Sequence, residues 1–294
     1  MADLSANSAR PEIGASAPGF WSRLQQIPRY YIYLLLAMVV IWQILFPIFL
    51  PITPSATTRG LEEAIRTVPE GKLVLISADW DSSTQAETGP QTAAVIEACL
   101  RHHKPFVLMT LAPPMGAKLA HNIASEIAKR YHARYGVDWA NWGYKYGTSN
   151  VLMAMVKDVP KMVGSDFYGQ PVKSLPIMKG VRTVKDIGLV VEVTGLAGMT
   201  EMWIGLIQGP QGVPFSAAYT AVMAPGYYPY LDSGQIEGML VGAKGAAEME
   251  VLIARPGRGM AIMSAQSWAH VLIMLFIIVG NLGYLLARGR ERRG

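Results

Sequence analysis

A doubly wound α/β sheet is the fold class that the sequence predicts, on three observations. Short apolar runs recur along the chain: "KLVLISAD" (72–79), "KPFVLMTL" (104–111) and "IGLVVEVTG" (187–195). Between them stand stretches with helical spacing, among them "PQTAAVIEACLRHH" (90–103) and a segment over 115–134 in which Leu119, Ile123, Ile127 and Tyr131 lie four apart. Breakers such as "APPMG" (112–116) separate the two kinds of segment. Strands joined through helices pair in parallel with helices on both faces, an arrangement that is Rossmann-like or flavodoxin-like and mainly parallel.

The elements run in order along the chain. "TTRGLEEAIRTVPEGK" (57–72) reads as a short helix before the first strand. The next helix opens at Pro90, since proline is favoured in a first helical turn. "YGVDWANWGYKYG" (135–147), aromatic and glycine-rich, reads as a short strand with a loop, and "SNVLMAMVKDVPKMV" (149–163) as a helix as far as Pro160. "TEMWIGLIQ" (200–208) is a short helix, "GVPFSAAYTAVMAP" (212–225) an extended segment, and the block over 233–254 a final helix.

Composition adds a membrane. Hydrophobic residues make up 51% of the chain and charged ones only 16%, and the mean hydropathy of +0.25 is high for a soluble domain. Two uncharged stretches, over 30–51 and 267–287, are long enough to cross a hydrocarbon core of about 30 Å. Interfacial aromatics flank both: Tyr30, Tyr31 and Tyr33 at the first, Trp268 and Tyr284 at the second. The first is too long for the core of a signal peptide, and no small-residue cleavage site comes after it. The expected organisation is a cytoplasmic tail (1–29), a transmembrane helix (30–51), an α/β domain (52–266), a second transmembrane helix (267–287) and a basic cytoplasmic tail (288–294).

Arginines 10, 23, 29, 288, 290, 292 and 293 lie in the two tails. The positive-inside rule therefore places both termini in the cytoplasm, the α/β domain outside it, and the protein in the inner or plasma membrane as a two-pass chain. The formal charge of +5 comes mostly from these tails, because residues 52–266 carry 19 basic and 18 acidic side chains. A nucleic-acid partner is not expected. A single cysteine, Cys99, excludes an intrachain disulfide and cysteine-rich zinc motifs. The chain has no G-x-G-x-x-G or Walker pattern, so neither cofactor nor metal is expected.

The chemistry-bearing stretch is "SADWDSSTQAE" (77–87), at the carboxyl end of the first strand. Asp79 and Asp81 resemble the D-x-D-x-[TS] nucleophile motif of haloacid dehalogenase-type phosphatases, and Thr110 could supply that family's second hydroxyl. The pattern is incomplete. "IGLVVEVTG" ends in Thr194 and Gly195 without the further acidic pair that a magnesium site needs, and Glu192 lies inside its strand. The competing reading makes Asp81, Ser82 and Ser83 a turn and Thr84–Glu87 a capping box. Asp79 keeps a ligand-binding claim, because ligands of such sheets bind at their carboxyl edge.

In the final block, Ile236, Leu240, Ala243, Ala247 and Val251 make a helical core stripe, and Gly238, Gly242 and Gly245 a second stripe opposite. Glycine is costly inside a helix, so another backbone is expected to approach there. It belongs either to a neighbouring helix of the same domain or to a second subunit, in an isologous contact. A third possibility is an anion at the helix start, bound by Ser233 with Lys244 nearby.

"YGVDWANWGYKYG", "LPIMKGV", "EMWIGL" and "TAVMAPGYYPYLDSGQIEGMLVGAKGAAEMEVL" resemble segments of a family of membrane-anchored bacterial and archaeal proteins. The resemblance covers most of residues 60–254. It implies a conserved α/β domain beside membrane anchoring and brings no activity with it. No catalytic set is complete, and no Ser-His-Asp order or H-E-x-x-H motif is present. The expected function is that of a membrane-anchored assembly protein, partnered by the bilayer and by itself or other membrane proteins. The alternative is a small-ligand-binding or phosphatase-like domain.

Overall fold

The computed structural model describes residues 27–291, and the chain divides into two units. The smaller holds α1, Arg29–Leu45, and the last helix from Gln266 onward. The larger, Phe46–Ala265, carries the sheet. Within it the order is α2 (Ala56–Arg66), β1 (Leu73–Asp79), α3 (Gln85–Arg101), β2 (Phe106–Thr110), α4 (Met115–Tyr131) and β3 (Trp139–Tyr144). Then come α5 (Thr148–Lys157), α6 (Val159–Val163), β4 (Ile187–Thr194), α7 (Met199–Trp203), β5 (Phe215–Tyr219) and α8 (Tyr228–Asp232). The series closes with β6 (Met239–Val241), α9 (Gly242–Leu252) and α10 (Arg258–Glu291).

All strand pairs are parallel, in the order β3-β2-β1-β4-β5-β6. This is the order of a doubly wound Rossmann-like sheet, in which the chain reverses direction across the sheet between β1 and β4. Every residue of β1, β2, β4 and β5 is buried, which is why these strands read as continuous apolar runs. Side chains alternate between two cores. Leu73, Leu75, Met109, Val190 and Phe215 face one, with α5, α6 and α7; Val74, Ile76, Leu108, Val191 and Ala218 face the other, with α2, α3, α4 and α9.

Several local expectations are corrected. Helix α3 begins at Gln85, so Pro90 stands inside it and does not open it. The helix ending near Pro160 is two helices: Asp158 breaks the chain direction and accepts the Lys161 amide at 2.8 Å, capping α6 with Pro160 in its first turn. The block over 233–254 is not one helix. Met239–Val241 pairs with β5 as the sixth strand, and Gly242, at φ +57°, turns the chain directly into α9. That left-handed conformation is readily open only to glycine.

Among the described residues one helix, not two, is long and apolar enough to cross a membrane: Arg258–Leu286, 29 residues. The segment expected to span over 30–51 is helical only as far as Leu45, 17 residues. Pro47 explains the stop, because it disfavours helical backbone at the residue before it and has no amide to donate; Pro51 and Pro54 stand in the same irregular stretch. Of the tails expected over 1–29 and 288–294, residues 1–26 and 292–294 lie outside the described residues, and 288–291 continue α10.

Candidate functional site at the switch point

The topological switch point lies at the carboxyl ends of β1 and β4, which pair Asp79 with Thr194 and Ser77 with Glu192. Strand alternation puts Ser77, Asp79, Glu192 and Thr194 on one face of the sheet. All four are fully buried.

Asp79 is fully engaged. Its Oδ2 accepts the Ser77 hydroxyl at 2.5 Å, and its Oδ1 accepts the amides of Leu111 at 2.6 Å and Ala112 at 3.1 Å. The carboxylate therefore fixes the turn that leads from β2 into α4. Burial pushes its pKa up to about 6, against the opposing pull of these three donors. Thr110 is held apart from it: its hydroxyl donates to the Ala78 carbonyl at 3.1 Å, on the other face of the sheet.

Glu192 lacks such support. Thr200 Oγ1, at the start of α7, is 2.5 Å from its Oε2 and 3.0 Å from the Tyr219 hydroxyl on β5. Its Oε1 is buried without a hydrogen-bond partner. Burial, then the neighbouring Asp79, raise its pKa well above the usual carboxylate range. Among the described residues no lysine, arginine or histidine forms an ion pair with Asp79 or Glu192. Tyr219 stacks on Tyr227 with ring centres 4.2 Å apart, which closes this side of the cluster.

Two glycines seal the edge above. A β-carbon on Gly195, just after β4, would come within 2.6 Å of the Thr84 side chain in the β1–α3 turn. One on Gly116 would collide with the Ala78 carbonyl, so the start of α4 lies directly on the end of β1. A cavity of about 230 Å³ lies elsewhere, between α3, α4, α9 and the first turn of α10. It is lined by the Glu97–Arg130 ion pair, 2.7 Å apart, and does not include Asp79 or Glu192.

The turn reading of Asp81 fits: its Oδ1 accepts the Ser83 amide at 2.8 Å and the Ser83 hydroxyl at 2.6 Å, and these bonds lower its pKa. The capping box does not form. Thr84 makes no side-chain cap, and Glu87 reaches across to accept the Ala221 amide at 2.7 Å, joining α3 to the loop after β5. Ser233 and Lys244 are not brought together at a helix start. Ser233 stands just past the end of α8 and donates to the Tyr230 carbonyl at 3.1 Å, while Lys244, in the first turn of α9, pairs with Glu248 at 3.4 Å.

The glycine stripe is dissolved by the β6–α9 break. Gly238 precedes β6 and touches the backbone of Gly60 and Leu61 in α2, Gly242 sits against Glu87 and Ala221, and Gly245 packs on Leu240. Each marks a close approach, but to a different partner within the same domain.

Sequence reasoning missed the residues that fasten the domain to its flanking segments. Glu248 accepts the Ser55 amide at 3.1 Å, the Ser55 hydroxyl at 2.5 Å and the Thr58 hydroxyl at 2.6 Å, at the start of α2. Glu250 accepts the amides of Gly257 at 3.0 Å, Gly259 at 2.8 Å and Met260 at 2.7 Å, at the start of α10. Residues two apart on a helix point about 200° apart, so adjacent acids on α9 serve opposite neighbours. Two glutamates in an otherwise small and apolar helix were the available signal.

Matched against family models, curated proteins and solved structures, the chain finds no counterpart. The fold defines a class, a Rossmann-like α/β domain continuous with an apolar helix, and the function rests on the geometry above.

Proposed function

We propose that this chain is a membrane-tethered assembly protein whose α/β domain associates with a second copy through the loops at the carboxyl edge of its sheet. One observation carries the reading. Large apolar side chains stand exposed in the connections after four different strands: Met115 (53%), Tyr146 (88%), Leu196 (36%) and Val222 (87%). In an all-parallel sheet these connections share one edge, and exposed apolar surface gathered in one place favours contact with another protein. A hydrolase using the strand-edge carboxylates is less well supported, because both Asp79 oxygens already accept hydrogen bonds within the fold. In this reading α1 and α10 both insert in the membrane, with the arginine-rich tails in the cytoplasm.

Cys99 makes the test clean, since it is fully buried and its thiol is pushed far above the usual range by that burial. With Val222→Cys as the one accessible thiol, a short bis-maleimide should yield covalent dimers in native membranes, and Tyr146→Asp should abolish them. A monomeric mass in nanodiscs together with no dimer would overturn self-association; a crosslink to a different protein would replace the second copy with that partner. Cytoplasmic protease cutting within 146–222 in sealed inverted vesicles would reverse the topology.

A further inference from the structure

The first turn of α7 meets the switch point through Thr200, and Ser149 and Tyr227 also bond to this turn. Thr200 lies between Glu192 and Tyr219, 2.5 Å and 3.0 Å from them. Gly198, at φ +86°, and Gly212, at φ +66°, bracket α7 together with the π-helical turn Ile204–Gln208 that prolongs it. The titratable groups facing Glu192 are Asp79 from β1, Glu201 from α7, Tyr219 from β5 and Tyr227 from the 3-10 turn Ala224–Tyr227. None of them carries positive charge.

An ionised carboxylate in such a place is strongly disfavoured unless it is paired. A proton removes that cost. Protonated Glu192 donates from Oε2 to Thr200 Oγ1, whose own hydrogen passes on to the Tyr219 oxygen, and Oε1 stays neutral. Ionised Glu192 accepts the Thr200 hydrogen and Tyr219 donates to Thr200 in its place, but Oε1 is left charged, buried and without a partner, and only opening gives that charge water. Asp79, on the adjoining strand, adds like charge whenever it is ionised.

We propose that α7 is a proton-latched cover on the switch point: the Glu192–Thr200–Tyr219 connection fastens it while Glu192 carries a proton, and loss of that proton releases its first turn. Release uncovers the carboxyl edge between β1 and β4, where Rossmann-like sheets receive their ligands. The latch is independent of self-association.

Amide hydrogen exchange of the full chain in nanodiscs between pH 5.5 and 9, corrected for intrinsic rates, reads the latch directly. Peptides over 198–211 should show an opening constant that climbs by up to tenfold per pH unit above the ordinary carboxylate value and levels off once Glu192 ionises in the closed state, while peptides over β2 stay flat. Glu192→Gln should remove the climb. Asp79→Asn should make the climb level off at lower pH and reach a smaller total, because it takes away the charge that helps Glu192 keep its proton in the closed state. Thr200→Val, which keeps the volume and the carboxylate, should give fast opening of 198–211 at pH 6. A constant opening across the whole range in the unaltered protein would sink the proposal, as would an equal climb in Glu192→Gln. Should Glu192→Gln fail to fold, unchanged protection in Thr200→Val at pH 6 would overturn the latch just as well.

Discussion

Glu248 and Glu250 on α9 and Asp79 and Glu192 at the switch point are all buried carboxylates, yet their surroundings differ in kind. Burial pushes Glu248 up, but donors from Ser55 and Thr58 and the charge of Lys244 outweigh it and hold the group below its usual range. Glu250 is raised by burial against three backbone amides. Asp79 also has three donors and rises to about 6; Glu192, with one donor and a carboxylate for a neighbour, rises furthest. With three donors each at Glu248, Glu250 and Asp79, the depth of burial sets the direction, and the shortage of donors at Glu192 adds to it. The α9 pair holds the segments leading to and from the apolar helices, while the switch-point pair stands beneath the closed carboxyl edge of the sheet.

The largest effect should come from Glu250→Ala. It leaves three amides at the start of α10 without their acceptor, at about 1–3 kcal/mol for each amide that water cannot reach. Urea unfolding of the α/β domain should shift by about 3 kcal/mol or more, and a shift below about 1 kcal/mol would mean that the anchor is dispensable. Asp79→Ala frees the Leu111 and Ala112 amides in the same way and should cost about 2–4 kcal/mol. Asp79→Asn keeps an oxygen facing both amides, so it should cost far less at pH 7. Equal losses for the two variants would place the charge, and not the acceptor, in the bracing role.

The contrast between the pairs also sets the sign of the pH dependence. Asp79 binds its proton more tightly in the folded chain, so its contribution is complete below the ordinary value near 3.8 and is lost as pH rises through about 6. Glu192 extends the same trend to higher pH. Glu248 works in the opposite sense, stabilising above the ordinary value near 4.5 and losing its effect as pH falls below it. Denaturation between pH 4 and 9 should therefore lose its alkaline decline in Glu192→Gln, while Glu248→Gln should lessen the acid sensitivity. The smallest effect belongs to Asp81→Ala, which removes only an exposed turn bond, and its urea unfolding curve should nearly overlay that of the unaltered chain.

The α/β class was legible in the sequence because a strand buried on both faces is mainly apolar, and "LVLIS", "FVLMT" and "IGLVVEVT" are so apart from Ser77, Thr110, Glu192 and Thr194. The sixth strand was not, because three residues carry no period, and "GMLVG" fits a helix as well as a strand. The aspartate turn at Asp81 was readable, since its partner is two residues away. Asp79 was legible as an edge carboxylate but not as a brace: its acceptor role depends on Leu111 and Ala112, 32 and 33 residues on.

By itself, then, the sequence determined the features that local rules dictate: the alternation of strand and helix, the apolar last helix, the turn after β1 and the exclusion of an intrachain disulfide by a lone cysteine. Tertiary structure alone decided which carboxylates share a face, how many donors each receives and whether the switch point stands open. Those quantities depend on contacts between residues up to 193 positions apart, as Ser55 is from Glu248. No periodicity along the chain encodes them, because hydrogen-bond supply and desolvation are fixed only when the layers close on one another.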